Sequence, residues 1–277
     1  MKKNNLIIAV SVFSTALLFA CAEAPKKEEV TEEVVLEEVE EIEDESADLM
    51  LPSPIQIASI FNRSGLTYNG ELPNSPDAVS NYNTKTKKYL NFGVYSADMA
   101  YSVLNKKQQE SIDYLAAIKK LSDETGMDAI FSTGNMVERF EKNIGTQDSI
   151  MRILTEIKIK TDSYLEENKE QAKMAIFFTG AWVEGMYLGT KSASGNEMVK
   201  DRVLEQMNIL KNLIPALRAQ SDETFDLTEV ANQLEAINTF YQSVATEDAE
   251  GYATINPDDM IELTKKIEAL RSNIVSA

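Results

Sequence analysis

Histidine is absent from the 277 residues, and the only cysteine is Cys21. Those two gaps exclude Ser-His-Asp and Cys-His catalysis, and also zinc, iron or copper held by imidazole or thiolate. Any chemistry falls to Asp, Glu, Lys, Tyr, Ser or Thr, and any metal would be a hard cation held by oxygens. One cysteine cannot close an internal disulfide, so the folded part depends on its core. Positive charge is also scarce. Basic side chains number 27 against 45 acidic ones, a net charge of −18, and no basic stripe is present. Nucleic acid is therefore not an expected partner. No proline occurs between Pro76 and Pro215, which favours long helices through the middle of the chain.

What is present is helical periodicity, and no segment alternates as a strand does. Residues 172–189, AKMAIFFTGAWVEGMYLG, are apolar on every side of a helical wheel apart from Lys173 and Glu184. A helix apolar all round is buried either in protein or in lipid. A membrane span needs about 20 apolar residues with few charges, and this run is shorter and carries Glu184. The expected fold is all-α: a multi-helix bundle, or a short array of antiparallel helical hairpins, around a central helix at about 172–190. Ala181, Gly185 and Gly189 recur at i, i+4 and i+8, a spacing that lets a neighbouring helix approach closely.

Other helix signals flank it. Ser75-Pro76-Asp77 combines an N-cap, a first-turn proline and an acid, and predicts a helix running on to Leu104. Further helices are expected at about 106–124, 135–143 and from 147. Ser194-Gly195-Asn196-Glu197 reads as a capping box, with Pro215 ending the helix that follows. Asn256-Pro257-Asp258-Asp259 starts the last helix. Its two acids are better explained by the helix start than by calcium, because the glycine and spaced oxygens of an EF-hand loop are missing.

The beginning of the chain reads differently. Lys2 and Lys3 precede an apolar run that ends in small residues, the pattern of a cleaved signal peptide over 1–20. Leu18-Phe19-Ala20-Cys21 resembles the lipobox of bacterial lipoproteins, with leucine, alanine and cysteine in place and Phe19 departing from the usual small residue. That resemblance implies cleavage before Cys21 and acylation of its sulfur. Several acyl chains at about 0.8 kcal/mol per buried methylene anchor firmly. Ala22 in place of aspartate implies sorting to the outer membrane, on the periplasmic face or the cell surface. Lys27-Glu28-Glu29 resembles the acidic tag of surface-exported lipoproteins in Bacteroidota. Residues 22–49 carry 13 acids against two lysines. With no aromatic residue they cannot build a core, so 21–49 reads as an extended acidic tether. The globular domain is expected over 50–277.

Two acids stand where the helical pattern calls for apolar residues: Asp98 in FGVYSADMAYSVL and Glu184 in FTGAWVEGMYLG. The two segments resemble each other. Gly93 precedes Asp98 and Gly180 precedes Glu184; Tyr101 and Tyr187 each follow the acid by three. A degenerate hairpin repeat and chance similarity are both open readings. If buried, the acids need donors. Candidate members of such a polar cluster are Arg139, Arg152, Tyr95, Tyr101 and Tyr187. The cluster is either an interior network fixing helix register or a carboxylate pair for acid–base work. Residues 64–86, rich in Asn, Ser and Tyr, suit either a hydrogen-bonding surface or a capped loop.

SPDAVSNYNT, LNFGVYSADMAY, RFEKNIGTQDSI and GAWVEGMYLG resemble recurring segments of an uncharacterised group of helical lipoproteins from Bacteroidota, over most of residues 55–215. The resemblance implies lipidation and a helical fold, and no activity. The leading expectation is a lipid-anchored envelope protein that meets the membrane through Cys21 and binds a protein or small solute, with no cofactor or metal. Its rivals are a carboxylate-dependent hydrolase of envelope or glycan material using Asp98 and Glu184, and a purely structural envelope protein.

Overall fold

A computed structural model describes residues 51–132 and 134–276. The expected leader, Cys21 and the expected tether lie outside the described residues. Eleven α-helices follow one another among the described residues. They are α1 (Pro54–Arg63), α2 (Lys85–Leu104), α3 (Gln108–Thr125), α4 (Ala129–Ser132), α5 (Met136–Asn143), α6 (Gln147–Glu167), α7 (Met174–Ser192), α8 (Glu197–Gln206), α9 (Leu210–Ala219), α10 (Thr228–Val244) and α11 (Pro257–Val275). The fold is all-α. Among the described residues its one β feature is a two-residue antiparallel ladder, β1 (Thr246–Glu247) with β2 (Ala253–Thr254), in which Thr246 faces Thr254. No described helix is long and apolar enough to cross a membrane.

The apolar run becomes α7, and its residues 175–190 are buried on every face. Protein, not lipid, covers it: α1, α2, α8, α9 and α11 all pack against it. Trp182 is completely buried, and its Nε1–H donates to the Gln206 carbonyl at 3.4 Å. Large side chains of this kind each contribute roughly 1.5–3 kcal/mol when buried.

The centre is a pair of helices and not α7 alone. In α2, residues 89–95 and 97–103 are also buried. Glycine lets the two backbones touch. A Cβ on Gly93 would lie 1.9 Å from the Phe177 carbonyl oxygen, and one on Gly180 would lie 1.8 Å from the Leu90 carbonyl oxygen. Gly93 meets Phe177 and Ala181, whereas Ala97 and Tyr101 share a gap with Gly185 and Leu188. The two helices therefore run in the same direction, and their Gly–acid–Tyr segments lie side by side. Gly185 and Gly189 serve another neighbour, receiving Ile57 and Phe61 of α1.

Three helix boundaries differ from expectation. Ser75-Pro76 opens only a 3₁₀ turn, Pro76–Asn81, and Tyr82 follows in extended conformation with its ring buried. α2 starts afresh at Lys85, where the Thr84 hydroxyl accepts from the Lys87 amide at 3.1 Å. The cap of α8 is Asn196 and not Ser194, its side chain accepting from the Val199 amide at 3.2 Å. Pro215 lies inside α9. The break comes earlier, at the 3₁₀ turn Met207–Ile209, and the helix runs on because Leu213, Ile214 and Leu217 are all buried.

Candidate functional site

Asp98 on α2 and Glu184 on α7 are both completely buried. Because the helices run parallel with Gly93 against α7, the two carboxyls come within hydrogen-bonding reach of each other. The cation that completes the site is Arg271 of α11. Its Nε–H donates to Glu184 Oε2 at 2.9 Å and its NH2 group to Glu184 Oε1 at 3.1 Å. This two-pronged geometry is the strongest form of a carboxylate–guanidinium pair. The guanidinium also stacks 4.5 Å from the centre of the Tyr187 ring.

A strap formed by residues 67–75 closes the site. The Asn74 amide donates to Asp98 Oδ2 at 3.1 Å, and Arg271 donates a further bond to the Leu72 carbonyl at 3.2 Å. Tyr101 holds the start of the strap: its hydroxyl accepts from the Asn69 amide at 2.7 Å and donates to the Thr67 carbonyl at 2.9 Å. Tyr68 stacks on the Tyr101 ring, with centroids 4.9 Å apart. Tyr95 holds the end, donating to the Ser75 carbonyl at 2.9 Å.

Asp98 Oδ1 has no hydrogen-bond donor from any other residue. Two carboxyls in contact cannot both ionise inside protein. Burial pushes Asp98 well above the usual carboxylate range, the neighbouring Glu184 charge pushes it further, and Arg271 and the Asn74 amide offset this only in part. Burial also raises Glu184, but Arg271 opposes that with both charge and hydrogen bonds. Of the two, Asp98 is the carboxyl pushed further toward its neutral form, and Glu184, forked by Arg271, is the one better held as the anion. Arg271 stays charged: burial works against its cation, and Glu184 and Asp98 outweigh burial.

The site therefore joins Asp98, Glu184, Tyr95, Tyr101 and Tyr187 of the expected cluster. Arg139 and Arg152 do not belong to it. Arg139 pairs with Glu156 across α5 and α6, Nη1 to Oε2 at 2.8 Å, and Arg152 lies exposed on α6. Both occupy the solvent faces of amphipathic helices, so neither reaches the centre. Sequence reasoning missed Arg271. A signal was available: it sits four residues after Ile267 and beside Leu270, on the edge of the buried stripe of α11.

Chemically, a carboxyl pair sharing one proton suits acid–base work. Here both acids are completely buried, so neither presents a surface to a substrate. A small apolar gap under α1, lined by Ile57, Phe61, Leu66, Ala97, Tyr101 and Gly185, includes Tyr101 of the site but neither acid. A second opening, a cleft of about 240 Å³ bordered by Lys106, Lys107, Ser111 and Gln147, is lined by neither acid. Among the described residues, no group of three or more acids converges to hold a metal ion. Asp259 caps its own helix with Asn256. Compared with family models, curated proteins and solved structures, the chain matches none.

Proposed function

We propose that this chain is a lipid-anchored envelope protein, held at the outer membrane through acylated Cys21, whose helical domain works by binding a protein or small solute. The observation that favours binding over hydrolysis is the sealing of the Asp98–Glu184 pair. Both acids are completely buried, Glu184 is fully engaged by Arg271, and the strap covers them. A hydrolase needs its acid and base within about 3 Å of a substrate or of one bridging water. On this reading the pair is interior structure.

Anchoring is tested directly. Metabolic labelling with a palmitate analogue should mark the wild type and leave Cys21→Ser unmarked; equal labelling of the two would end the lipoprotein reading. Binding is tested by crosslinking in the native envelope. Wild type and Asp98→Asn should return the same partner, whereas Cys21→Ser should lose it. An Asp98→Asn chain that folds and keeps its partner, yet cannot restore an envelope defect left by deletion of the gene, would favour the hydrolase.

A further inference from the structure

Two carboxyls and one guanidinium meet in the interior between α2, α7 and α11, so their charges balance only while one carboxyl keeps a proton. Geometry identifies which one. Glu184 receives both prongs of Arg271, at 2.9 and 3.1 Å. Asp98 receives one backbone amide on Oδ2, at 3.1 Å, its buried Oδ1 receives no donor, and the Glu184 carboxyl is within hydrogen-bonding reach of it. An ionised oxygen sealed without a donor is very unfavourable. A hydroxyl at Oδ1, donating to Glu184, satisfies both groups.

The same three side chains hold two outer segments. Residues 67–75 are tied down by Asn74 on Asp98 and by Leu72 on Arg271, and α11 is tied to α7 by Arg271. We propose that the shared proton is a latch: while Asp98 holds it, the strap stays clamped on the α2–α7 pair, and its loss to solvent releases the strap before the rest of the bundle. Without the proton, two carboxylates face one guanidinium, and opening the strap relieves the excess charge by hydrating Asp98. The latch needs no ligand and stands apart from the binding function.

The groups around Asp98 leave it as the titrating member. Tyr95 and Tyr101 face it from α2, Tyr114 from α3 and Tyr68 from the strap. Glu184 faces it from α7, and Arg271 from α11 with Tyr187 stacked behind. Burial pushes the Tyr68, Tyr95, Tyr101 and Tyr114 phenols up, so they stay neutral while Asp98 ionises. The one charged side chain of α1, Arg63, is exposed, and no titratable side chain of α6 is buried. The sign follows from linkage. Asp98 binds its proton more tightly in the closed form than in the open one. Clamping is therefore complete in acid and weakens as pH rises, by up to about tenfold in the opening constant per pH unit, until Asp98 ionises in the closed form as well.

The test is hydrogen exchange of the full chain, wild type and Asp98→Asn, at several values from about pH 5 to 9. Asparagine can donate to Glu184 and accept from Asn74 without a titrating proton, and the ratio of the two proteins at each amide cancels the intrinsic rate. We expect that ratio to climb with pH, toward tenfold per unit, in residues 67–75, and to stay level in α7 and in α11, whose fork from Arg271 to Glu184 does not depend on the Asp98 proton. Infrared spectra of the native wild type should show the carbonyl band of a protonated carboxyl at neutral pH. Exchange should stop rising at the pH where this band disappears, a comparison that needs no variant. A ratio independent of pH, a rise shared equally by α7, a neutral-pH spectrum lacking the band, or a band that titrates with no change in exchange would each overturn the latch.

Discussion

At the scale of single residues, the carboxyl–guanidinium site decides most of what can be tested. Glu184→Ala strands the fork of Arg271 and leaves a cavity, and breaking a buried pair in this way costs about 3–5 kcal/mol. For a domain of this size the melting temperature should fall by about 10 °C. Glu184→Gln should fall less, because Asp98 can then give up its proton and become the counter-ion of Arg271. Thermal melts by circular dichroism at neutral pH check both; if both variants melt like the wild type, the pair contributes no stability. The two acids were legible in the sequence because each interrupts an apolar run. Their cation was not. Arg271 lies 87 residues from Glu184 along the chain, and its one local signal, a place at the edge of the α11 apolar stripe, does not say which acid it meets. Arg139 and Arg152 were equally plausible until helix packing decided which faces look inward.

At the scale of elements, the crossing of α2 and α7 is the tightest constraint. Gly93 and Gly180 meet backbone and not flexible side chains, at 1.9 and 1.8 Å from an added Cβ. The crossing cannot relax without separating the helices. Gly93→Ala or Gly180→Ala should each cost more than the usual 1–3 kcal/mol of overpacking, and the double variant should fail to fold. Gly126→Ala is the control. That residue caps α3 at φ +82° with nothing near its Cβ, so the change adds only about 1–2 kcal/mol of left-handed strain. Urea unfolding of the three single variants ranks them, and equal losses at Gly93 and Gly126 would refute the close crossing. Helix existence was legible here, and helix ends less so. Ser75-Pro76 carries a good start signal, yet burial of Tyr82 pulls the chain into an extended step before Thr84 caps α2. Tertiary packing overrode a local preference worth about 1 kcal/mol.

At the scale of the whole molecule, all the described residues belong to one compact unit, and α11 returns to pack on α7. That closure predicts independence from the acidic tether: a fragment of residues 50–277 should give a strongly helical far-UV spectrum and a single cooperative melt. A β-rich spectrum, or the loss of cooperativity without residues 1–49, would contradict it. A fragment shortened to end before α11 should be far less stable, since it leaves Glu184 without its guanidinium and uncovers one side of α7. The fragment's 32 acids against 23 basic side chains leave a net negative surface, on which exposed i, i+4 pairs such as Lys119–Asp123 and Lys142–Glu138 contribute little each.

By itself the sequence determined the fold class and the central apolar helix. Both depend on local order, the 3.6-residue periodicity and an unbroken apolar run, which any folded arrangement of this chain has to bury. It also pointed to Glu184 as interior, because a carboxylate within such a run has nowhere else to go, and left the burial of Asp98 open. Only the tertiary structure decided that α2 shares the centre with α7, that the two run parallel through Gly93 and Gly180, and that the acids meet. Only the tertiary structure chose Arg271 as their cation. Those outcomes depend on contacts between residues some 90 to 200 positions apart, whose pairing is set by which helix faces fit together and not by any pattern within one helix.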